Sequence, residues 1–517
     1  MTDQESTLDT SSLAKYMEIV AEGTLLLFAC AVFSYAFSFV KRVIIIRSLS
    51  PEQYGLFTIA MSVSAVVTIV SSLGLNTGTQ RFIALYRGRG DLERVKGSIV
   101  SATHMLLASV LVAMALLMVF AKPIESLLDK QGLAWVLFVL AFLIPLQQII
   151  DFITSVYQGF EIPTVKALFA DIFLSLLVMS FVLTAAIFRK TLGGMMSAII
   201  LGNAFTVVAM LVYIKYRIPE SIKGVKPLTE ARKLLLFSIP LAISISVSII
   251  STHVDTAMLS YYEPSVQVGL YSSAIVLYQV LPMIAGVAVF MYAPVATRMI
   301  GEKKEKELRS LFPIVTKWIV VILLPLAFIY FGFSSQILTF LFGSTYDASA
   351  FVLLILSVGG LVLVILGPTG ATLVAFGRTK LLMLDATIAG ICNVVLNRVL
   401  IPGMGINGAA IATSISTVIL ALLIFGQTLY YYRIHPFSNN YVKTLLSSML
   451  IVLLLYYPLR AGLEFTRLLI PLYYILILSG CIAAVFLTNS IDDVDRVLYR
   501  VARQKVVEFV QARRKTR

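Results

Sequence analysis

Charge is what this sequence has least of. Only 13% of its 517 residues are Asp, Glu, Lys or Arg, against about a quarter in an ordinary soluble domain. A soluble fold needs polar surface to stay in water, so a large water-soluble globule is excluded. Histidine and cysteine are equally scarce, with 3 of each. Cys30, Cys392 and Cys481 all lie in apolar runs, so no disulfide framework and no metal-ligand spacing is present. Acidic metal motifs are missing from the apolar part of the chain; Asp492-Asp493-x-Asp495 stands alone in a basic tail. No connection is long enough for a folded soluble domain. These absences argue against a membrane glycosyltransferase or sugar polymerase and against a metal or cofactor enzyme. The first residues, MTDQESTLDTSS, lack the basic region of a cleaved signal peptide, so the first apolar run is expected to stay as an anchor.

What the chain has in abundance is apolar surface. Hydrophobic residues make up 59% of it, and the mean hydropathy is +0.93. Lipid is therefore the solvent to assume, and helices that satisfy their own backbones are the structure to expect. A crossing helix needs about 20 apolar residues. Runs of that kind fall at 23–47, 54–75, 97–120, 133–157, 165–188, 191–214, 234–260, 268–292, 311–332, 348–376, 380–401, 405–432, 443–459 and 467–489. The fold class is thus an all-α polytopic membrane protein of about 14 transmembrane helices. Polar segments outside the spans are 1–22 at the N-terminus, a linker at 217–233 and a basic tail from 490 to 517.

The net charge of +14 belongs to this topology rather than to nucleic acid. With the N-terminus in the cytoplasm, about three-quarters of the Lys and Arg fall on the cytoplasmic side, the bias of the positive-inside rule. Both termini are therefore expected in the cytoplasm, in the cell membrane. The stretches 81–96, 215–233 and 298–309 carry most of the bias. The tail sets Ile491, Val494, Leu498 and Val501 on one face of a helix among basic residues, a pattern suited to an anionic membrane surface and equally to a solvated tail.

The chain also repeats itself. PEQYGLFTIA (51–60) pairs with PSVQVGLYSS (264–273), setting Gly55 against Gly269. YQGFEIPT (157–164) pairs with VAFGRTK (374–380), and LGGMMSAII (192–200) with GINGAAIAT (405–413). The matches keep one order, with six spans in each half. The halves are an N-lobe at 23–216 and a C-lobe at 234–433, with two further spans in 434–489. Six is even, so the halves share one orientation, as in transporters that hold a midplane site between repeats.

Charges inside a span are costly and need a reason. Ser34, Ser38 and Lys41 share one helical face, with Arg42 beside them and Arg47 closing the helix. This polar stripe ending in cations suits the wall of a cavity for an anionic group. Snorkelling to the interface is the plainer reading. In the seventh span Ser244, Ser248, Ser251 and Asp255 form a matching stripe, with His253 beside it. The repeat sets Lys41 against Asp255. A carboxylate there suits a proton, a sodium ion or a structural ion pair. Asp151, one turn after Gln147 and Gln148, is a third candidate for ion coupling. Arg81 and Arg298 stand at matching helix ends, placed to meet a phosphate at the inner mouth or simply to anchor orientation.

The stretches SLSPEQYGLFTIAMSV, SSLGLNTGTQRFIALYRGRGD, DTAMLSYYEPSVQVGLYSSAIVL and NVVLNRVLIPGMGINGAAIATSIS resemble the polysaccharide-exporter (Wzx-type) branch of the multidrug/oligosaccharidyl-lipid/polysaccharide flippase superfamily. The resemblance covers about residues 20–490. It implies two pseudo-symmetric, MATE-like lobes around a central cleft, plus two C-terminal helices. It implies a transporter, with no resident cofactor, that exports a polyprenyl- or dolichyl-linked oligosaccharide by alternating access, with H+ or Na+ as coupling ion. Membrane lipids and glycan-assembly proteins are the partners implied. The related lipid II flippases use basic residues of the first helix for the pyrophosphate, and Lys41, Arg42 and Arg47 occupy a similar stretch. The alternative on the same fold is a cation-coupled drug or metabolite exporter.

Overall fold

The computed structural model describes residues 30, 32–217, 224–461 and 470–491, with side chains except at 241, 243–252, 290, 291, 294, 456–461, 470 and 471. The N-terminal segment, the tail helix expected from Val494 onward, and the side chains of Ser244, Ser248 and Ser251 lie outside this description. Helix is the only regular structure among the described residues.

The first span is helix α1, residues 32–48. It runs past Lys41 and Arg42 to Ser48, so both cations lie within the helix. Helix α2 (Pro51–Ser71) opens on a capping box. The Ser50 hydroxyl accepts the Gln53 N–H at 3.2 Å, and the Ser50 N–H donates to the Gln53 side chain at 3.4 Å. Pro51 fills the first helical position, where its missing N–H costs nothing. The second span then breaks at 72–74 and continues as α3 (Leu75–Gly88). After it come α4 (Leu92–Leu128), α5 (Leu133–Ala141) and α6 (Leu143–Gly159). A π-helical segment, Lys166–Phe173, leads into α7 (Leu174–Phe188), followed by α8 (Leu192–Arg217) and α9 (Ala231–Tyr262).

The helices end later than apolar run-length suggested. The basic stretch 81–96 is almost entirely helix, with only Arg89–Asp91 between α3 and α4. An amphipathic helix end keeps its hydrogen bonds while its Arg and Lys face outward, so nothing forces it to stop where the apolar run does.

The chain forms two compact units, Met1–Gly269 and Leu270–Arg517. In the first, α9 packs along α2, α3 and α4. The seventh span, which heads the second half of the repeat, thus shares a packed core with the first six. At one end of this unit α2 meets the start of α10 (Ser265–Tyr278) backbone to backbone. A Cβ on Gly55 would stand 1.8 Å from the Ser265 carbonyl oxygen, and one on Gly269 2.1 Å from that of Pro51. In lipid, where apolar side chains gain little by leaving their solvent, such close approach of backbones is the main source of helix attraction.

The second unit continues with α11 (Val280–Gly301) and α12 (Glu305–Phe342), which kinks at Phe333. Then come α13 (Ala350–Leu366), α14 (Thr369–Ala375), α15 (Thr379–Tyr432), α16 (Asn439–Ala461) and α17 (Ile470–Leu487). Helix α15 is two spans in one. It turns at Gly405, whose φ of 57° and ψ of −134° suit only a residue without a side chain, and the Asp385–Gln427 hydrogen bond shows its legs running antiparallel. Lys317 of α12 is 1% exposed, and its Nζ donates to the Ser490 carbonyl at 2.9 Å, tying the chain beyond α17 to the core.

Each expected span has a helix. Nine helical stretches among the described residues are long and apolar enough to cross a membrane, one of them the α15 hairpin. Helices α1 and α9 supply the first and seventh spans, and the shorter apolar helices Asn439–Leu455 and Leu472–Leu487 supply the last two.

Candidate functional site

The site residues of the first unit fall into three groups. The first is the polar face of α1. Lys41 is half-buried, and Arg42 and Arg47 are exposed. Arg42 and Arg47 are already engaged with neighbouring groups. Lys41 has no carboxylate within 4.0 Å among the described residues. Arg42, the next residue on the helix, is a second cation, an arrangement that repels itself and that an anion would relieve. Ser34 is committed elsewhere, sharing a 3.1 Å hydrogen bond with Ser175 of α7. Ser38 is half-buried on the same face.

The second group is on α9. Asp255 is half-buried and engaged with neighbours. His253 Nδ1 lies 3.1 Å from the Ser62 hydroxyl of α2. It lines a cavity of about 370 Å³ that is otherwise mainly apolar, with Ile59, Val63 and Val66 on the opposite wall.

The third group is the most fully assembled. The break in the second span, halfway along it, opens a polar cavity of about 470 Å³ against α6 and α8. Asp151 and Gln147 line it from α6, Asn203 from α8, and Ser72, Asn76 and Thr77 from the broken span. Gln148, 2% exposed, donates at 2.6 Å to the Thr68 carbonyl, which also accepts the Ser72 N–H at 3.2 Å and the Ser71 hydroxyl at 2.7 Å. Gln148 in turn accepts from Asn76 at 3.4 Å. Gln148 therefore seals the break, while Asp151, exposed to the cavity, is the ionisable group left facing it. Asn76 and Thr77 were not singled out by spacing. Their signal was the Leu73-Gly74 pair inside an apolar run, with two polar residues following Leu75.

The sequence leaves Arg81 either a phosphate at the inner mouth or a role in anchoring orientation. Its guanidinium lies 4.1 Å over the Phe237 ring of α9, a cation–π contact between two helices of one unit. Arg298 belongs to the second unit, where its Nε donates to Glu302 at 2.7 Å. Lys304 and Arg298 together hold the Glu302 carboxyl down to about 2.

Beyond the helix ends, the linker is pinned to the first unit. Glu230 receives Arg94 at 3.3 Å, Lys233 at 3.2 Å and the Tyr86 hydroxyl. The Tyr86 hydroxyl is the main cause that holds Glu230 below the ordinary carboxylate range, with Lys233 and Arg94 adding to it. Lys96 Nζ donates to the Val225 carbonyl at 2.7 Å, and the Leu228 N–H to that of Glu93 at 3.0 Å. No group of three or more His, Cys, Asp or Glu that could hold a metal ion exists among the described residues.

The model of a family described as polysaccharide biosynthesis protein matches residues 20–300, and the MatE family model matches residues 240–399. A Haloferax volcanii protein named "Probable low-salt glycan biosynthesis flippase" is 22% identical over 413 residues, 78% of this chain and 82% of that one. The solved structure of the lipid II flippase MurJ in an inward closed conformation superposes with a TM-score of 0.70 at 16% identity, covering 92% of this chain and 99% of that one. An inward-facing multidrug resistance MATE family transporter superposes with a TM-score of 0.59 at 15% identity, covering 79% and 98%. At such identities the structural likenesses establish the fold: an all-α, many-spanning transporter architecture.

Proposed function

We propose, from the premise that the chain belongs to the polysaccharide biosynthesis protein family, that it is a flippase for a lipid-linked oligosaccharide. It would carry a polyprenyl- or dolichyl-linked glycan across the cell membrane by alternating access. The observation that carries this reading is the face of α1. A half-buried lysine without a carboxylate partner among the described residues, next to an arginine of like charge, suits an anionic group at the polar face of a membrane helix. The pyrophosphate of the carrier lipid has that charge, and its apolar tail would stay in the bilayer. The named function of the Haloferax relative supports the substrate class. Asp151, His253 and Asp255 are the candidates for an ion, H+ or Na+, that drives the cycle. The basic bias of the loops supports a cytoplasmic location for both termini, and glycan-assembly proteins are the expected partners.

The test is a flipping assay in proteoliposomes with a fluorescent polyprenyl-diphosphate sugar. A charge-assisted contact is worth about 1.5–3 kcal/mol. Replacing Lys41 and Arg42 together by Ala should therefore slow flipping by at least about a hundredfold, at about 1.4 kcal/mol per tenfold. Full activity in that double variant would refute the phosphate role. The match of residues 240–399 to the MatE family keeps a second reading, a cation-coupled drug exporter. Efflux of a radiolabelled cationic drug, unaffected by added sugar lipid, would favour it.

A further inference from the structure

Asp385 lies deep in the second unit and takes no part in the site described above. It is 1% exposed. Its Oδ1 accepts a hydrogen bond from Gln427 Nε2 at 2.6 Å, across the two legs of α15. Its other oxygen, Oδ2, has no hydrogen-bond partner among the described residues, and neither has the Gln427 carbonyl oxygen Oε1. Two buried acceptors without a donor are a defect that native proteins rarely leave.

The chemistry of the pair shows what resolves it. A carboxyl and a primary amide that already share one N–H···O bond need one further hydrogen to close a ring. That hydrogen sits between the carboxyl's second oxygen and the amide carbonyl. Oδ2 and Oε1 are the two atoms left orphaned here. A proton on Oδ2 satisfies both at once: the acid donates O–H to Oε1 while the amide keeps its N–H on Oδ1.

The charges around the pair agree. Helices α13 and α14 pack against α15 and carry no titratable side chain; Tyr271 of α10 meets Thr413 on the second leg, and Arg309 of α12 donates to the Tyr432 carbonyl at 3.0 Å, at the helix end rather than at the pair. On α15 itself the other titratable groups of the first leg are Lys380, Cys392 and Arg398, and both basic residues are exposed. Helical spacing at 100° per residue turns Lys380 and Arg398 well away from the Asp385 face. On the second leg they are Tyr430, Tyr431 and Tyr432; Arg378, just before α15, donates to the Tyr432 hydroxyl. Among the described residues no cation pairs with Asp385. A buried carboxylate with no counter-charge is disfavoured, and neutralisation is the ordinary outcome. A metal cation would need a shell of several oxygens, and two orphaned acceptors do not make one.

We propose that Asp385 and Gln427 form a proton-binding site. A proton taken from water adds to Asp385 Oδ2 and closes the acid–amide ring between the legs of α15. Its return to water opens the ring and leaves a carboxylate facing an amide carbonyl. The pair sits about 8–9 Å inside the two ends of α15, at about 1.5 Å per residue from Thr379 and Tyr432, close enough to bulk solvent for exchange during a transport cycle. That this proton drives transport rests on the flippase reading; the site itself does not.

Infrared spectroscopy of the purified protein in lipid nanodiscs tests it. A protonated, hydrogen-bonded carboxylic acid gives a carbonyl band resolved from carboxylates and amides. The expected result is a band that disappears reversibly as pH rises and is absent in Asp385→Asn. The Asn variant keeps a neutral amide of the same shape, so it should fold. In Gln427→Leu the band should move to higher frequency, because the acid loses its partner. A band that survives in Asp385→Asn, that is missing from the native protein at every pH, or that ignores pH overturns the proposal. So does saturable binding of radiolabelled sodium that Asp385→Asn abolishes. A titrating Asp385 band in a protein that moves no sugar lipid would uphold the site and defeat the flippase reading.

Discussion

Replacing Gly55 by Ala places one methyl group where two backbones touch. The new Cβ would stand 1.8 Å from the Ser265 carbonyl oxygen and 2.6 Å from its carbon, whereas ordinary contact begins at 3.4 Å. Neither obstacle is a side chain that could swing away. The start of α10 must move bodily off α2, and that gap cannot close elsewhere. Overpacking of this kind costs about 1–3 kcal/mol in a well-packed interior, and a purely backbone obstacle belongs at the upper end of that range. Gly269→Ala meets the Pro51 carbonyl oxygen at 2.1 Å in the same crossing. The two substitutions push the same backbones apart, so the double variant should cost clearly less than the sum of the singles. Gly286→Ala in α11 is the control, since nothing lies within 4 Å of its added carbon; it should be neutral or stabilise by up to about 1 kcal/mol. Thermal unfolding in detergent, followed by size-exclusion chromatography after heating, reads all four. A Gly55→Ala protein as stable as the native one, or strictly additive losses, would refute the crossing.

Lys317→Met keeps the apolar stem but removes the donor to the Ser490 carbonyl; the buried acceptor left behind should cost about 1–3 kcal/mol, seen as a lower unfolding temperature. The Glu230 carboxyl, held below its ordinary 4.5, stabilises the pinned linker at neutral pH, and this contribution should be lost only as pH falls below that value through the depressed one. Protection against hydrogen exchange over 224–233, taken relative to the intrinsic rate at each pH, should therefore fall in acid in the native protein and be low at all pH in Glu230→Gln. For orientation, an impermeant maleimide applied to whole cells should label Gln131→Cys and spare Arg89→Cys, in a background with Cys30, Cys392 and Cys481 replaced; the reverse pattern would invert the topology.

Much of the architecture was legible because lipid imposes a simple rule. A run of apolar residues long enough to cross must be a helix, and each of the fourteen runs has one. Helix ends were less legible. Past the apolar run, the basic residues of 81–96 remain helical because an amphipathic end has no reason to unwind. The repeat alignment of Gly55 with Gly269 carried more than similarity: the two glycines meet in one crossing. Among candidate site residues, Asp151 was found by its neighbours Gln147 and Gln148, and all three line one cavity. Arg81 lies over the Phe237 ring, a partner more than 150 positions away that no local spacing could indicate. The Asp385–Gln427 pair shows the same limit, since its members are separated by the whole of the α15 hairpin.

That hairpin also acts as a ruler. Its legs run from Thr379 to Met404 and from Ile406 to Tyr432 with a single glycine between them, so each is about 39–40 Å long. The hydrocarbon core is about 30 Å thick. The turn, Ile401-Pro402-Gly403-Met404-Gly405, has no charged residue of its own, and at the opposite end Tyr430, Tyr431 and Tyr432 supply an aromatic anchor for the headgroup layer. A bilayer thicker than this span would draw those tyrosines inward, and a thinner one would strand the apolar turn in the headgroups. The bend at Gly405 thus gives both legs one length, and with it a preferred bilayer thickness that tilt of the legs adjusts at modest cost.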